Sequence, residues 1–259
     1  MRSSSHRPRK RFGQHFLHDR RVLERIVGAI APAADDVLVE IGPGEGALTR
    51  VLLDRVDRLV AIEIDRDLAA RLQAEFPPDR LTVHCADALR FDFAALPSGV
   101  RLVGNLPYNV STPLLFHLAG YVERVRDMHF MLQREVVERM VAAHSTPAYG
   151  RLSVALQTRF RMEKLFNVPA SAFRPPPKVE SAVVRLLPLA PQERPEMDWD
   201  VFSRTLAGAF SARRKRLSNA LPLAAADLEA LGIDPGLRPE NLSPQDYVRI
   251  AQRLTCASR

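Results

Sequence analysis

The chain has 259 residues, of which 46% are apolar, so it can bury a sizeable core in one large domain and a small additional one. Its formal charge of +7 favours a polyanionic partner such as nucleic acid. No apolar run approaches the ~18 residues of a membrane span, no signal peptide core is present, and Cys85 and Cys256 lack metal-binding spacing. We therefore expect a cytoplasmic protein that contacts no membrane and holds no metal.

The first half of the chain alternates predicted helices with predicted strands. Residues 1–11 carry five basic side chains and no acidic one, which predicts a flexible basic arm. Asp19 is the predicted N-cap of a helix that ends before Pro32. Apolar runs then predict strands at 37–41, 59–64, 81–86, 100–103 and 128–132, and spacing predicts helices starting at 47 and spanning 67–76, 113–121 and 134–143. Such alternation is typical of parallel βαβ units, and the expected fold class is α/β.

The second half changes character after a proline-rich stretch. The alternating residues 181–186, within 166–189, predict a late hairpin that closes the sheet. From about residue 191, short helical patterns such as 201–210 and 247–254 replace strand signals. The sequence thus predicts a main domain over 12–190 and a small all-helical domain over 191–259.

The polar motif Asn105, Leu106, Pro107 and Tyr108, called the NLPY motif below, directly follows a predicted buried strand. Ligands bind at the carboxyl ends of strands in α/β sheets. The Asn105 Oδ1 and the Leu106 carbonyl can accept hydrogen bonds from an exocyclic amino group, and Tyr108 can stack on the ring that bears it. Adenine has this chemistry. The alternative is an Asn-Pro turn whose tyrosine lies in the core.

A second set of residues indicates a cofactor site. Gly42 and Gly44 lie in a loop after the first strand, and Glu63 follows at the spacing of a ribose-binding carboxylate. These features alone also fit a nicotinamide dehydrogenase. Glu40 and Asp87 add two more carboxylates, which suit the sulfonium cation of S-adenosylmethionine better than a dinucleotide phosphate.

Taken in order, these motifs resemble the ribosomal RNA adenine dimethyltransferases, and their bacterial small-subunit group most closely. The matching stretches are 11–17 (RFGQHFL), 40–44 (EIGPG), 63–65 (EID), 105–109 (NLPYN), 131–136 (MLQREV), 149–153 (YGRLS) and 173–181 (FRPPPKVES). The resemblance implies a Rossmann-like class I methyltransferase sheet with a helical C-terminal domain. It also implies S-adenosylmethionine as methyl donor and S-adenosylhomocysteine as product.

The resemblance further implies roles for individual residues. Cofactor contacts fall on His15, Leu17, Gly42, Gly44, Glu63, Asp87, Ala88 and Asn105, and the catalytic set is Asn105, Leu106, Pro107, Tyr108 and Phe173. Phe173 would sandwich the target base opposite Tyr108. His15 departs from the family, which commonly has Asn at this position.

The implied reaction is N6,N6-dimethylation of two adjacent adenosines near the 3′ end of small-subunit rRNA. We expect a monomer that acts on a pre-assembled small ribosomal subunit and holds rRNA through Arg213, Arg214, Lys215 and Arg216. Two alternatives remain at this point: a methyltransferase of large-subunit rRNA, and a nucleic-acid-binding assembly factor that kept the fold without catalysis.

Overall fold

The computed structural model describes residues 14–211 and 215–257, so the predicted basic arm at 1–11 lies outside the described residues. The chain divides into two compact units. One contains the described residues up to Val137 together with Glu163–Leu187, and the other contains Glu138–Met162 together with the described residues from Pro188 onward. Within 14–211 and 215–257, none of the helices combines the length and apolar character that a membrane span requires.

Strands and helices alternate through most of the first unit, and the helices after Met140 belong to the second unit. The strands are β1 (Phe16–Leu17), β2 (Leu38–Ile41), β3 (Leu59–Glu63), β4 (Leu81–Cys85), β5 (Val100–Asn105), β6 (Val125–Gln133), β7 (Phe160–Val168), β8 (Phe173–Arg174) and β9 (Ser181–Pro188). The helices are α1 (Arg20–Ile30), α2 (Ala47–Leu53), α3 (Arg66–Glu75), α4 (Ser111–Ala119), α5 (Arg134–Met140), α6 (Arg151–Gln157), α7 (Trp199–Ser211), α8 (Leu217–Ala220), α9 (Ala225–Ala230) and α10 (Pro244–Ala257).

Seven strands form one sheet in the order β4-β3-β2-β5-β6-β9-β7. The pairs β4–β3, β3–β2, β2–β5 and β5–β6 are parallel, whereas β9 runs antiparallel to β6. The predicted α/β class is therefore confirmed. Because β2 connects to β3 on one side and pairs with β5 on the other, the strand order reverses there, and ligands of open α/β sheets bind at such a point.

Helix α1 forms where its capping and spacing predict it. The Asp19 carboxylate accepts hydrogen bonds from the backbone N–H groups of Arg21 (2.9 Å) and Val22 (3.2 Å), which satisfies donors that a helix N-terminus leaves unpaired. Its apolar face, Leu23, Ile26, Val27 and Ile30, is buried in the core. The chain segment before Asp19 is thereby held at the edge of this core.

Strands β2 and β5 approach each other closely near their carboxyl ends. A Cβ atom on Gly104 would lie 2.4 Å from the carbonyl oxygen of Ile41, a distance that no side chain tolerates. Glycine at this position therefore lets the ends of the two strands, Ile41 and Asn105, lie beside one another.

A buried arginine joins α1 to the sheet. Arg101 on β5 forms ion pairs with Asp36 (2.5 Å) and Asp127 (2.9 Å), and its guanidinium also donates to the carbonyl of Ile30 at the end of α1 (2.5 Å). Burial raises the pKa of Asp127, but the interactions with His129 and with the Arg101 guanidinium outweigh it, and the net pKa lies below its ordinary value.

The second unit is helical apart from the strand ends it includes. Phe202, Leu206 and Ala209 of α7 are fully buried. The hydroxyl of Tyr149 donates to the carbonyl of Leu242 (2.9 Å), and the hydroxyl of Tyr247 donates to the carbonyl of Pro239 (2.9 Å). These bonds satisfy the polar tips of two aromatic side chains inside an apolar core.

The contact-based division differs from the predicted boundary at 190/191 because residues 138–162 belong to the helical unit. Helix α6 contacts α7 and α10, which explains the assignment. The sequence reading also missed β7, where charged Arg161, Glu163 and Lys164 interrupt the apolar residues. Arg161 and Lys164, together with Arg159, form a loose basic group in the sequence, and this pattern does not predict a strand.

We expect Arg101→Met to lower the free energy of unfolding by about 3–5 kcal/mol at neutral pH, because it removes the buried guanidinium that pairs with Asp36 and Asp127. The folded-state pKa of Asp127 lies below the unfolded value. Its stabilisation is therefore present above about pH 4 and is lost as the pH falls through the folded-state pKa, so the difference between wild type and variant shrinks in acid. Denaturant titrations of both proteins at neutral and acidic pH measure this difference in the free energy of unfolding.

Arg126→Met is the matched control. Arg126 also pairs with Asp36 (2.7 Å), but its side chain is 63% exposed. We therefore expect this variant to lower the free energy of unfolding by less than about 1 kcal/mol. Equal losses in the two variants would contradict the role assigned to Arg101.

Candidate active site

A cavity of about 340 Å³ opens at the carboxyl ends of the parallel strands in the first unit. Of the residues predicted from sequence, it is lined by His15, Leu17, Gly42, Gly44, Glu63, Asp87, Ala88, Asn105, Leu106, Pro107 and Tyr108. The structure therefore brings together the two groups of residues that the sequence separated by up to 93 positions, from His15 to Tyr108. The volume falls in the range of small-molecule and cofactor sites.

The loop after β2 lies close to the NLPY motif. Gly42 has φ +70°, and a Cβ atom there would lie 3.8 Å from the carbonyl oxygen of Asn105. Gly44 has φ +60°, and a Cβ atom there would lie 3.0 Å from the ring of Phe16. Both glycines thus leave bare backbone facing the cavity, where a ligand can approach it closely.

Glu63 ends β3 with a carboxylate held by backbone donors. Its Oε2 accepts from the N–H of Gly44 (3.0 Å) and its Oε1 accepts from the N–H of Asp65 (2.9 Å). Burial raises the pKa of Glu63 above its ordinary value, although these two hydrogen bonds oppose the shift. Each oxygen has a second lone pair with which to bind a hydroxyl group in the cavity.

Glu40 is a second buried carboxylate of the cavity wall. Its Oε2 accepts a hydrogen bond from the hydroxyl of Thr49 (2.6 Å). Burial raises the pKa of Glu40 to about 7, and the nearby charge of Glu63 adds to the shift. Glu40 therefore changes its charge near neutral pH.

Asp87 and Ala88 lie in the loop after β4. The Asp87 Oδ1 accepts from the N–H of Leu89 (3.0 Å), which orients the carboxylate. The loop is held further on by His117 of α4, whose Nε2 donates to the carbonyl of Phe91 (3.0 Å). Helix α4 follows the NLPY motif, so one helix connects the two sides of the cavity.

The Asn105 amide has a fixed orientation. Its Nδ2 donates to the backbone carbonyl of His15 (2.9 Å), so the Oδ1 is the atom left to accept a hydrogen bond. The next residue, Leu106, is anchored by its N–H, which donates to the carbonyl of Met131 on β6 (3.1 Å). The first half of the motif is therefore attached to both β6 and the N-terminal segment.

Tyr108 is held at its hydroxyl. This group shares a 2.7 Å hydrogen bond with the hydroxyl of Ser181, a fully buried residue at the start of β9. The ring of His15 stacks on the Tyr108 ring with centroids 5.5 Å apart and an angle of 28° between the planes. Tyr108 is thus not a core residue of a turn, because it lines the cavity with a stacked ring.

Residues 14–17, called the cover segment below, cross one side of the cavity. Gln14 Nε2 donates to Asp65 (3.3 Å), and β1 pairs with β8 so that Phe16 lies opposite Arg174 and Leu17 opposite Phe173. The cover segment is therefore tied both to the loop after β3 and to β8.

Phe173 is not among the residues that line the cavity. Its side chain is 1% exposed and packs in the hydrophobic core with Leu17 and Val183. Its stacking on a target base opposite Tyr108 stays a prediction. In the predicted rRNA-binding block, Arg213 and Arg214 lie outside the described residues, and Lys215 and Arg216 are exposed.

Three residues of the site were not predicted from the sequence: Gly104, Thr49 and Ser181. Gly104 allows the approach of β2 and β5, Thr49 binds Glu40, and Ser181 binds Tyr108. A small polar residue at the start of a strand that is otherwise apolar was the available signal for Ser181.

Comparison with known proteins agrees with this geometry. The family model for ribosomal RNA adenine dimethylase matches residues 5–255. Relatives from Thiobacillus denitrificans and Chromobacterium violaceum, both named ribosomal RNA small subunit methyltransferase A, are each 58% identical to this chain. The first match covers 96% of this chain and 98% of the relative, and the second covers 97% of each.

Two solved structures have the same fold. A dimethyladenosine transferase from Plasmodium falciparum has a TM-score of 0.78 and 27% identity, covering 94% of this chain and 98% of that one. The 23S rRNA methyltransferase ErmE has a TM-score of 0.64 and 26% identity, covering 93% and 99%. The predicted class I methyltransferase fold is thereby confirmed, and the near-complete family match shows that this chain belongs to the ribosomal RNA adenine dimethylase family.

Proposed function

We propose that this protein transfers methyl groups from S-adenosylmethionine to N6 of two adjacent adenosines near the 3′ end of small-subunit rRNA, giving dimethyladenosines during ribosome biogenesis. One observation carries the proposal: a single cavity is lined by the Glu63 carboxylate with its glycine loop and by the NLPY motif. A donor and an acceptor of a methyl group can therefore meet in one site.

The cavity wall fits the proposed methyl donor. Glu63 has lone pairs for the ribose hydroxyls, Asp87 has an oriented carboxylate for the adenine amino group, and Gly42 and Gly44 leave room beside the backbone. The backbone of His15 and Leu17 in the cover segment, with Ala88, completes the proposed contacts. When bound, S-adenosylmethionine supplies an electrophilic methyl carbon on a sulfonium ion and leaves as S-adenosylhomocysteine.

The NLPY motif provides what the acceptor nitrogen requires. The N6 lone pair of adenine is delocalised into the ring, so hydrogen bonds to its N–H groups must draw it toward tetrahedral geometry. The oriented Asn105 Oδ1 and the Leu106 carbonyl accept these hydrogen bonds. Pro107 contributes no N–H donor that would compete with the amino group.

Tyr108 orients the base by stacking, and the bond to Ser181 fixes its ring. S-adenosylmethionine bound in the same cavity would supply the methyl carbon for N6. The carbon–sulfur bond would break as the carbon–nitrogen bond forms, and the N6 proton, which becomes acidic only then, would be lost to solvent. Positioning and charge complementarity then supply most of the rate, and the reaction needs no strong general base.

The proposed substrate is rRNA within a pre-assembled small subunit, and the proposed state of the enzyme is a cytoplasmic monomer. Two relatives at 58% identity carry small-subunit names, whereas ErmE, whose name refers to 23S rRNA, is 26% identical. Arg213, Arg214, Lys215 and Arg216 are the proposed phosphate contacts, since phosphate contacts position an RNA without reading its sequence.

We expect Asn105→Ala to reduce methyl transfer about 100- to 1000-fold, because it removes an oriented acceptor at the reacting nitrogen. The measurement is transfer of labelled methyl groups to immature small subunits, with large subunits and free rRNA in parallel, followed by nucleoside mass analysis. Dimethyladenosine formed only in small subunits would support both the reaction and the target.

Asn109→Ala is the matched control, since Asn109 is an exposed asparagine of the same turn. We expect it to reduce methyl transfer by less than about tenfold. Activity of Asn105→Ala close to wild type would contradict the proposed role. Tight binding of the particle without any transfer by the wild type would favour the assembly-factor reading.

We expect Glu63→Gln to weaken S-adenosylmethionine binding roughly ten- to a hundredfold, because an amide nitrogen cannot accept the hydrogen bonds that one carboxylate oxygen accepts. Calorimetric titration measures the affinity. Glu45→Gln removes the same charge from an exposed residue of the glycine loop and controls for electrostatics alone. Equal losses of S-adenosylmethionine affinity in Glu63→Gln and Glu45→Gln would show that Glu63 contributes through its charge and not through its hydrogen bonds.

We expect S-adenosylmethionine binding to weaken several-fold as the pH falls from about 8 to about 6, because Glu40, with a pKa of about 7, loses its negative charge and its attraction for a cation. Glu40→Gln should bind weakly across this range and show a flatter pH dependence. S-adenosylhomocysteine has one positive charge fewer and should respond less. An unchanged pH dependence in Glu40→Gln would assign the titration to another group.

A further inference from the structure

The face of Tyr108 that turns to the cover segment is occupied by a side chain of the protein itself. The His15 ring stacks on Tyr108 with a centroid distance of 5.5 Å, and its Nδ1 lies 2.7 Å from the carbonyl oxygen of Pro175. A carbonyl oxygen only accepts hydrogen bonds, so Nδ1 carries a hydrogen and donates a hydrogen bond to the Pro175 carbonyl.

The two rings are too close for a base to enter between them. Stacked aromatic layers are separated by about 3.5–4.0 Å, so a base sandwiched between His15 and Tyr108 needs about 7–8 Å between their planes. The observed centroid distance is 5.5 Å. One of the two rings must therefore move before a base can stack at this position.

Tyr108 is the fixed partner of the pair. Its hydroxyl is bonded to the buried Ser181, and its carbonyl accepts from the hydroxyl of Ser111 (3.2 Å), the first residue of α4. The His15 ring is half-buried and is bonded at its Nδ1 to one loop carbonyl, while Asn105 holds the backbone of His15 and not its ring. Rotation of the His15 side chain breaks one hydrogen bond and leaves the backbone contacts intact.

We propose that the His15 side chain covers the stacking face of Tyr108 in the free enzyme and that the target adenine displaces it on binding. This inference rests on the proposed function, because it takes the stacked ligand to be the acceptor base. It assigns the ring of His15 to the acceptor side of the cavity, whereas the family resemblance assigned this position to the cofactor.

The exchange makes His15 a residue that lowers the apparent affinity of the site for any stacked base. An incoming base must replace both the imidazole stacking and the bond to Pro175. A purine offers Tyr108 two fused rings and a pyrimidine only one, so a purine compensates more fully for the lost contacts. The cost of displacing His15 is the same for every base, so a base that stacks weakly on Tyr108 is left with little net binding free energy.

The test is steady-state methyl transfer with the concentrations of immature small subunits and of S-adenosylmethionine varied separately. His15→Ala should lower the KM for small subunits about five- to tenfold, because the base no longer competes with a ring, and should change the KM for the cofactor less. His15→Asn, which also removes the ring, should behave in the same way.

His18→Ala is the matched control, because it removes an exposed histidine three residues further along the chain, and we expect it to keep the wild-type KM for small subunits. A raised KM for the cofactor with an unchanged or raised KM for small subunits in both His15 variants would overturn the proposal, since the ring of His15, and not only its backbone, would then contact the cofactor.

A binding measurement separates this inference from the proposed function. Fluorescence of a short single-stranded RNA carrying 2-aminopurine, titrated with enzyme and saturating S-adenosylhomocysteine, should be quenched at lower enzyme concentration by His15→Ala than by wild type. Tyr108→Ala should abolish the quenching. Equal titrations for wild type and His15→Ala would overturn the role of His15 even if methyl transfer is normal. Absence of methyl transfer with the expected quenching would overturn the proposed function alone.

Discussion

The site depends on the close approach of two strand ends. Gly104 lacks the side chain that would collide with the Ile41 carbonyl, so β2 and β5 end side by side. The loop that follows β2 and the motif that follows β5 consequently share one cavity. Without this approach, the residues proposed to hold the cofactor and those proposed to hold the acceptor base would lie too far apart for a methyl group to pass between them.

The polar groups of the cavity are oriented before any ligand binds. Backbone N–H groups hold Glu63, Thr49 holds Glu40, and the amide of Asn105 is turned by the His15 carbonyl. Each of these bonds uses one lone pair or donor and leaves others on the same group for a ligand. Such preorganisation reduces the free energy that a reaction in the cavity must spend on reorienting polar groups.

The sequence predicted what local patterns encode. The Asp19 cap, the apolar parallel strands and the spacing between Gly42 and Glu63 are each visible within a short stretch of sequence. The structure confirms the cap and the strands. The sequence did not reveal that Ser181 binds Tyr108 from 73 positions away, or that the Phe173 ring turns into the core. Motif letters give the type of a side chain but not the direction in which it points, and that direction is decided by tertiary packing.

The hydrogen bond from the Asn105 amide to the His15 carbonyl connects the NLPY motif to the cover segment. The cover segment borders the cavity, and the ring of Phe16 lies against Gly44 of the glycine loop. Displacement of the cover segment would break the hydrogen bond that orients the Asn105 amide. The orientation of Asn105 Oδ1 thus depends on a segment that also packs against the glycine loop, so a change at one wall of the cavity alters the other.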